Sequence, residues 1–257
     1  MKGARFILAK KRTDEEEKPF WISFADLMTA LMVLFLVAMA VALLAVTKTA
    51  SEREQKEAAH RQDIKQVMER FAEAAEKFEG IHVNVDEAKE RCVIYFDKEL
   101  LFSDNSCNLT KDQERELRVF VPEMLDRANR DAVGKRVIKR FVLEGYTDNN
   151  GSYLFNVNLS LLRSQRVLCA LFATTGTELL SDEQKKEVRD LFLVGGYSFN
   201  AAKSTEEESR RVEMRVEFLG IDEKRPEPPK SDKFGECVIL TECKSRKKSH
   251  QSRDEGN

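Results

Sequence analysis

The feature that most restricts this chain is the run from Leu27 to Val46, twenty residues without a charged side chain. At about 1.5 Å per residue, a helix of that length spans roughly 30 Å, the thickness of a bilayer's hydrocarbon core. A cleaved secretory signal has only about 7–15 apolar residues. This run is longer and has an acid, Asp26, at its start, so it reads as a retained single-pass membrane helix. Pro19 suits the first turn of that helix, and Trp21 suits the membrane interface.

Orientation follows from basic residues and cysteines. Six Lys/Arg lie in residues 1–18 and four in the eighteen residues past the helix, a bias that puts the N-terminus in the cytoplasm. No cysteine precedes the helix and five follow it, as an oxidising periplasm permits. The expected location is therefore the bacterial inner membrane, with the bulk of the chain periplasmic.

Beyond the membrane run roughly 210 residues remain, enough for one folded domain and its connections. Residues 1–18 read as a cytoplasmic tail, 19–46 as the membrane helix and 47–80 as a helical linker free of proline. In that linker Ile64, Phe71 and Phe78 recur every seven residues, with Val67, Met68, Ala74 and Ala75 between them. Such a stripe fits pairing with a second copy, or packing on the chain's own domain. The domain itself is expected over 81–220 as an α/β sandwich, because β-rich runs alternate with helical ones. Strands are expected at 92–96, 136–146 and 211–218. Helices are expected after the capping boxes Thr110/Gln113 and Ser181/Gln184, and over 158–173. Residues 221–257 hold "RPEPP" and a polar end, so they read mostly as linker, with "CVILTEC" a small strand or a disulfide-closed loop.

Asp26 needs a reason to be where it is. A carboxylate at mid-helix costs about 2.5–3.5 kcal/mol on insertion scales. A group kept at that cost is a candidate ion carrier that alternates between protonated and ionised forms, and Thr29, about one turn on, is its nearest polar neighbour. The competing reading is a wet carboxylate near the cytoplasmic face, since Asp26 lies only seven residues past Pro19.

The context of Asp26, "PFWISFADLMTALM", resembles the membrane signature of the flagellar stator B subunits, the MotB family. The resemblance implies that Asp26 binds the translocated ion and that two copies sit within a ring of A-type, MotA-like subunits. A second stretch, "EGYTDNNGSYLFNVNLSLLRSQRV" (144–167), resembles the peptidoglycan-binding signature of OmpA-like domains. It implies that Asp148 takes the ammonium and Arg163 the carboxylate of diaminopimelate in the wall peptide. Phe155, Asn156 and Leu159 would line the pocket, Thr147 would supply hydrogen bonds, and Arg210 or Arg211 would touch the ligand carboxylate. Spacing alone is equally served by an Asp148–Arg163 salt bridge at a strand–helix junction. Two departures from the pattern concern affinity and peptide preference: Tyr146 where the family often has His, and Ser209 where Asn usually precedes the two arginines.

The linker distinguishes branches of the family. Flagellar stators commonly carry a Pro- or Gln-rich linker and plug. A charged helix running straight into the wall-binding domain looks more like the stator-like B subunits of the Zorya anti-phage defence system. The expected function is thus a subunit of an ion-driven motor, with the proton as the favoured ion, acting in that defence; a flagellar stator and a passive tether are the alternatives.

Other classes have little to rest on. Net charge is −2, so nothing in the balance of charge points to nucleic acid, and "KSRKK" (244–248) reads as a solvated tail. With three histidines and no CxxC, neither metal nor cofactor is expected, and no covalent catalysis is implied. Cys92 with Cys107, and Cys237 with Cys243, are the disulfide candidates, and Cys169, among apolar neighbours, is expected as a buried free thiol.

Overall fold

The computed structural model describes residues 20–78, 80–96, 102–228 and 233–237. Helix α1 runs Phe20–Ala75. Contacts divide the chain into two units, 1–55 and 56–257, each taken by itself.

In the first unit, every residue from Trp21 to Gln55 is exposed. Among the described residues, this is the one helix long and apolar enough to cross a membrane. Leu31, Leu34, Leu43 and Leu44 each keep more than 60% of their surface open. Burying such surface is worth about 25 cal/mol per Å², so it calls for a covering that the described residues do not supply.

The second unit holds the end of α1, then β1 (Ile81–Asp86), β2 (Arg91–Phe96), α2 (Lys111–Asn129), α3 (Ala132–Val137) and β3 (Ile138–Gly145). It continues with α4 (Tyr153–Leu171), α5 (Asp182–Leu191), β4 (Phe192–Gly196), α6 (Glu206–Ser209) and β5 (Val212–Phe218). The five strands form one mixed sheet in the order β1-β2-β5-β3-β4. Only β3 and β4 are parallel, and the α4–α5 segment provides the crossover that parallel strands require.

Alternation along the strands gives the sheet two unlike faces. Cys92, Ile94, Phe141, Leu143, Met214 and Val216 face the helices and are buried. The opposite face carries ion pairs, Glu144–Arg215 at 2.7 Å, Arg140–Glu217 at 3.1 Å and Arg211–Glu213 at 2.7 Å. The expected α/β layering is therefore what the chain builds. Both capping boxes form, with the Thr110 and Ser181 hydroxyls accepting from the Gln113 and Gln184 backbone N–H groups at 3.2 Å.

Of the two roles open to the 64–78 stripe, the structure shows the intramolecular one. Ile64, Val67, Met68, Phe71 and Ala75 are buried in the domain's own core, and the Phe71 ring lies 6.1 Å from that of Phe141. Pairing of two copies through this stripe is overturned, because those side chains are already covered. The segment after 220 is likewise held to the domain: the Arg225 guanidinium donates to the Ile138 and Ala128 carbonyls and to Asn129 Oδ1 at 2.7–3.1 Å.

The cysteine expectations are corrected. Cys169 is disulfide-bonded to Cys237, with Phe172 and Phe234 rings 5.1 Å apart beside the bridge. Cys107 is disulfide-bonded, but not to Cys92, which is a free thiol. Cys92 points from β2 into the apolar core, and that burial pushes its thiol up to about 12. A Cys237–Cys243 pair is excluded by the bond to Cys169, and Cys243 itself lies outside the described residues, as do most of "CVILTEC" and all of "KSRKK".

Candidate functional site

The site lies where β3 ends and the chain turns into α4. Close approach of that helix to the sheet sets the geometry. A side chain at Gly145 would meet the Ser160 carbonyl oxygen at 1.9 Å, so only glycine lets α4 sit so near β3. Ser160 and Ser164 complete the contact: the Ser198 N–H donates to Ser160 Oγ at 3.0 Å, and Ser164 Oγ donates to the Gly195 carbonyl at 2.9 Å. The same face of α4 places Arg163 directly beneath the end of β3.

Arg163 is fully buried and donates to three backbone carbonyls: Ser106 at 2.9 Å, Tyr146 at 2.8 Å and Ser103 at 3.3 Å. Its guanidinium also lies over the Phe102 ring, 5.3 Å from the centroid. Burial draws its pKa down to about 10, opposed by the charge of Asp148, so it stays cationic at neutral pH.

Asp148 is 5% exposed. Its Oδ1 accepts from the Asn150 N–H at 3.1 Å, which shapes the turn, and its Oδ2 accepts from Arg210 Nη1 at 3.0 Å. Arg210 also donates to the Phe102 carbonyl at 3.3 Å. Asn156 anchors the turn from α4 by donating to the Asn150 carbonyl at 2.7 Å. Gly151, at φ +91°, makes the left-handed step just before the Ser152 cap of α4.

The structure thus brings Asp148, Arg163 and Arg210 together, with one fully buried and one partly exposed guanidinium around a buried carboxylate. The direct hydrogen-bond partner of Asp148 is Arg210 rather than Arg163. Glu206 lies 3.9 Å from Arg210 and Asp104 acts on Arg163, so neighbouring acids offset both guanidinium groups; what suits an incoming carboxylate is the pair of converging guanidinium donors. Two flanking polar atoms, Thr147 Oγ1 and Asn156 Oδ1, are buried without a hydrogen-bond partner, an uncommon cost that a polar ligand would relieve. Leu159 is buried and packs with Phe155, Leu162 and Cys107 at the base of this region.

Arg211 takes a different place. It pairs with Glu213, donates to the Ala201 carbonyl at 3.1 Å, and stacks 4.2 Å from the Tyr146 ring centroid. Tyr146, whose hydroxyl donates to Glu144 at 2.9 Å, has its pKa pushed up by burial and then by that carboxylate. Sequence reasoning missed the 102–106 loop altogether, because its contribution is carbonyl oxygens, which carry no residue signature. In the first unit, the Thr29 hydroxyl donates to the Ala25 and Asp26 carbonyls, both at 2.9 Å, rather than to the Asp26 carboxylate.

Comparison with known proteins places these features in context. Residues 9–54 match the family profile described as membrane MotB of the proton-channel complex MotA/MotB. The Zorya protein ZorB of Escherichia coli O139:H28 (strain E24377A / ETEC) is 43% identical over 234 residues, 90% of this chain and 94% of that one. Among solved structures, the periplasmic domain of Helicobacter pylori MotB (residues 90–256) aligns at 16% identity and a TM-score of 0.39, covering 58% of this chain and 85% of that one. A putative MotB-like protein from Desulfovibrio vulgaris aligns at 20% identity and a TM-score of 0.38, covering 64% of this chain and 97% of that one.

Proposed function

This chain belongs to the ZorB family of Zorya proteins, and from that premise we propose that it is the ion-carrying, wall-anchored B subunit of a stator-like complex in anti-phage defence. In this reading the N-terminus is cytoplasmic, the Leu27–Val46 segment crosses the inner membrane, and the second unit works in the periplasm. Two copies present their Asp26 carboxylates to a surrounding ring of A-type, MotA-like subunits. Proton uptake and release at Asp26 favours different packings against that ring and drives its stepping. Thr29 lends its hydroxyl oxygen, whose proton is held by backbone carbonyls, as an acceptor toward the ion.

At the other end, Asp148, Arg163 and Arg210 hold the complex to peptidoglycan. The observation that carries this reading is the convergence of the Arg163 and Arg210 guanidinium groups on buried Asp148, beside the unpartnered Thr147 and Asn156 oxygens. Arg163 and Arg210 would grip the carboxylate of a wall-peptide zwitterion such as diaminopimelate, while Asp148 takes its ammonium. Thr147 and Asn156 offer their unpartnered oxygens, and Phe155 and Leu159 form the floor. No covalent chemistry is asked of the protein.

The test is phage plating on cells that express the chain with its neighbouring A-type partner. Asp26→Asn should abolish protection while the two proteins still co-purify, and Asp148→Asn should abolish protection while losing retention on isolated sacculi. Full protection by Asp26→Asn would leave a passive tether, and full retention by Asp148→Asn would remove the wall site.

A further inference from the structure

Two consecutive arginines precede β5, and it is Arg210 that pairs with Asp148. Arg210 has φ −82° and ψ +67°, the geometry of an inverse γ-turn, and the Arg211 N–H closes that turn by donating to the Ser209 carbonyl at 3.0 Å. Arg210 is thus the apex residue, and the two flanks of the turn set where its side chain is aimed. One flank is tied to the 102–106 loop, where the Phe102 N–H donates to the Arg210 carbonyl at 3.0 Å. The other is tied by the Arg211 guanidinium. Its Nη2 donates to the Ala201 carbonyl at 3.1 Å, and its Nη1 reaches the Glu208 and Ser209 carbonyls at 3.5 Å.

The Arg211 guanidinium is itself held from two sides. The Tyr146 ring lies against it, and Glu213 Oε1 accepts from its Nε at 2.7 Å. Glu213 is only 3% exposed and stands opposite the equally buried Glu144 in the β3–β5 register. Like charges facing each other across a sheet are destabilising, and burial adds to that cost. Glu144 is compensated by Arg215 and the Tyr146 hydroxyl, and Glu213 by Arg211. We propose that Glu213 is a positioning residue of the wall site. By holding Arg211 across the flank of the γ-turn, it keeps Arg210 aimed at the Asp148 site. It thereby gives the site its choice of a side chain ending in an ammonium and a carboxylate over one ending in an ammonium alone. The inference rests on the peptide-binding reading above and adds the residue that sets its selectivity. Arg163 has its donors committed to three backbone carbonyls, so the aim of Arg210 decides how the ligand carboxylate is met.

The test uses the full chain in detergent and calorimetric titration with two wall tripeptides that differ in the third residue. One carries diaminopimelate, and the other carries lysine, which keeps the ammonium but lacks the second carboxylate. The wild-type chain should bind the diaminopimelate form about tenfold to a hundredfold more tightly, the scale of one charge-assisted hydrogen bond. Glu213→Gln should lower that preference about fivefold or more, and so should Arg210→Ala. Adding Glu213→Gln to Arg210→Ala should lower it no further, because Glu213 acts through Arg210. Unfolded chain reduces the binding stoichiometry for both probes alike, so the ratio of affinities reports on the folded fraction alone. Replacing the whole pair, Arg211→Met with Glu213→Leu, removes the buried charges without orphaning either partner and should show the same lowered preference. Equal weakening of both tripeptides by these variants, or failure of both to fold, would make the pair a support of the fold only and refute the proposal. A further loss of preference in the Arg210→Ala background would refute it as well. Equal wild-type affinity for the two tripeptides would overturn the selectivity while the ammonium grip of Asp148 stands. Binding of neither tripeptide by the wild type would remove the wall site and this inference together.

Discussion

Arg163 is committed to the fold before it is available to a ligand, and that commitment has a measurable size. Three charge-assisted hydrogen bonds tie it to the 102–106 loop and to the end of β3. Each such bond contributes about 1.5–3 kcal/mol. Lysine keeps the charge but reaches one carbonyl, so Arg163→Lys forfeits two bonds, about 3 kcal/mol at the low end of that range. For a domain of this size that is roughly 6–12 °C in Tm. Asp148→Asn is the contrast. It keeps an acceptor for either Arg210 or the Asn150 N–H and gives up about 1 kcal/mol, a few degrees. Both variants should lose retention on sacculi, but only Arg163→Lys should lower the melting transition substantially, read by circular dichroism on the full chain in detergent. An Arg163→Lys protein that melts with the wild type while failing to bind would refute the structural half of this reasoning. The guanidinium would then be reserved for the ligand and not for the carbonyls.

The other outcomes concern the domain's stability. Opening the Cys169–Cys237 bridge by Cys169→Ser with Cys237→Ser frees a loop of 68 residues, worth about 4 kcal/mol in the chain-entropy model. The double variant should melt lower and become cleavable after Lys233 in limited proteolysis; wild-type protection there would mean that Arg225 and Phe234 hold the segment unaided. At Asp131, burial works against the charged form, but the Gly134 N–H and the Arg70 ion pair outweigh it and hold the carboxyl below its usual range. A depressed folded pKa gives stability that is present above the unfolded value of about 3.9 and lost as pH falls through the folded one. Asp131→Ala should therefore flatten the stability curve on the acid side of pH 4, besides costing about 1 kcal/mol as a lost helix cap; an unchanged acid limb in a pH series of melts would remove Asp131 from the account.

How much of this was legible in the sequence depended on where the information resides. The Leu27–Val46 run and both capping boxes are local patterns, and the structure places helices at all of them. The short strands β1 and β4 escaped notice: "IHVNVD" is half polar, and "FLVGG" merges into the end of α5. The Ile64–Ala75 stripe is periodic in either of its two roles, so only tertiary contact with Phe141 chose between them. Cysteine pairing was misjudged because spacing along the chain says nothing of the fold that brings residue 237 back to α4. At the site, Asp148 and Arg163 were readable through their motif. Arg210 and Arg211 were not separable until the turn from α6 into β5 aimed one toward Asp148 and the other toward Glu213.

The claim on which the rest depends is that Asp26 carries the ion, and proton flux measures it most directly. The chain and its A-type partner, reconstituted together in liposomes with a pH-sensitive dye inside, would be given an inward proton gradient. The account requires a proton influx that Asp26→Asn abolishes and Asp148→Asn leaves intact, since the wall site lies outside the conduction path. An influx of equal size through Asp26→Asn would contradict it and return the carboxylate to the role of a solvated residue at the membrane edge.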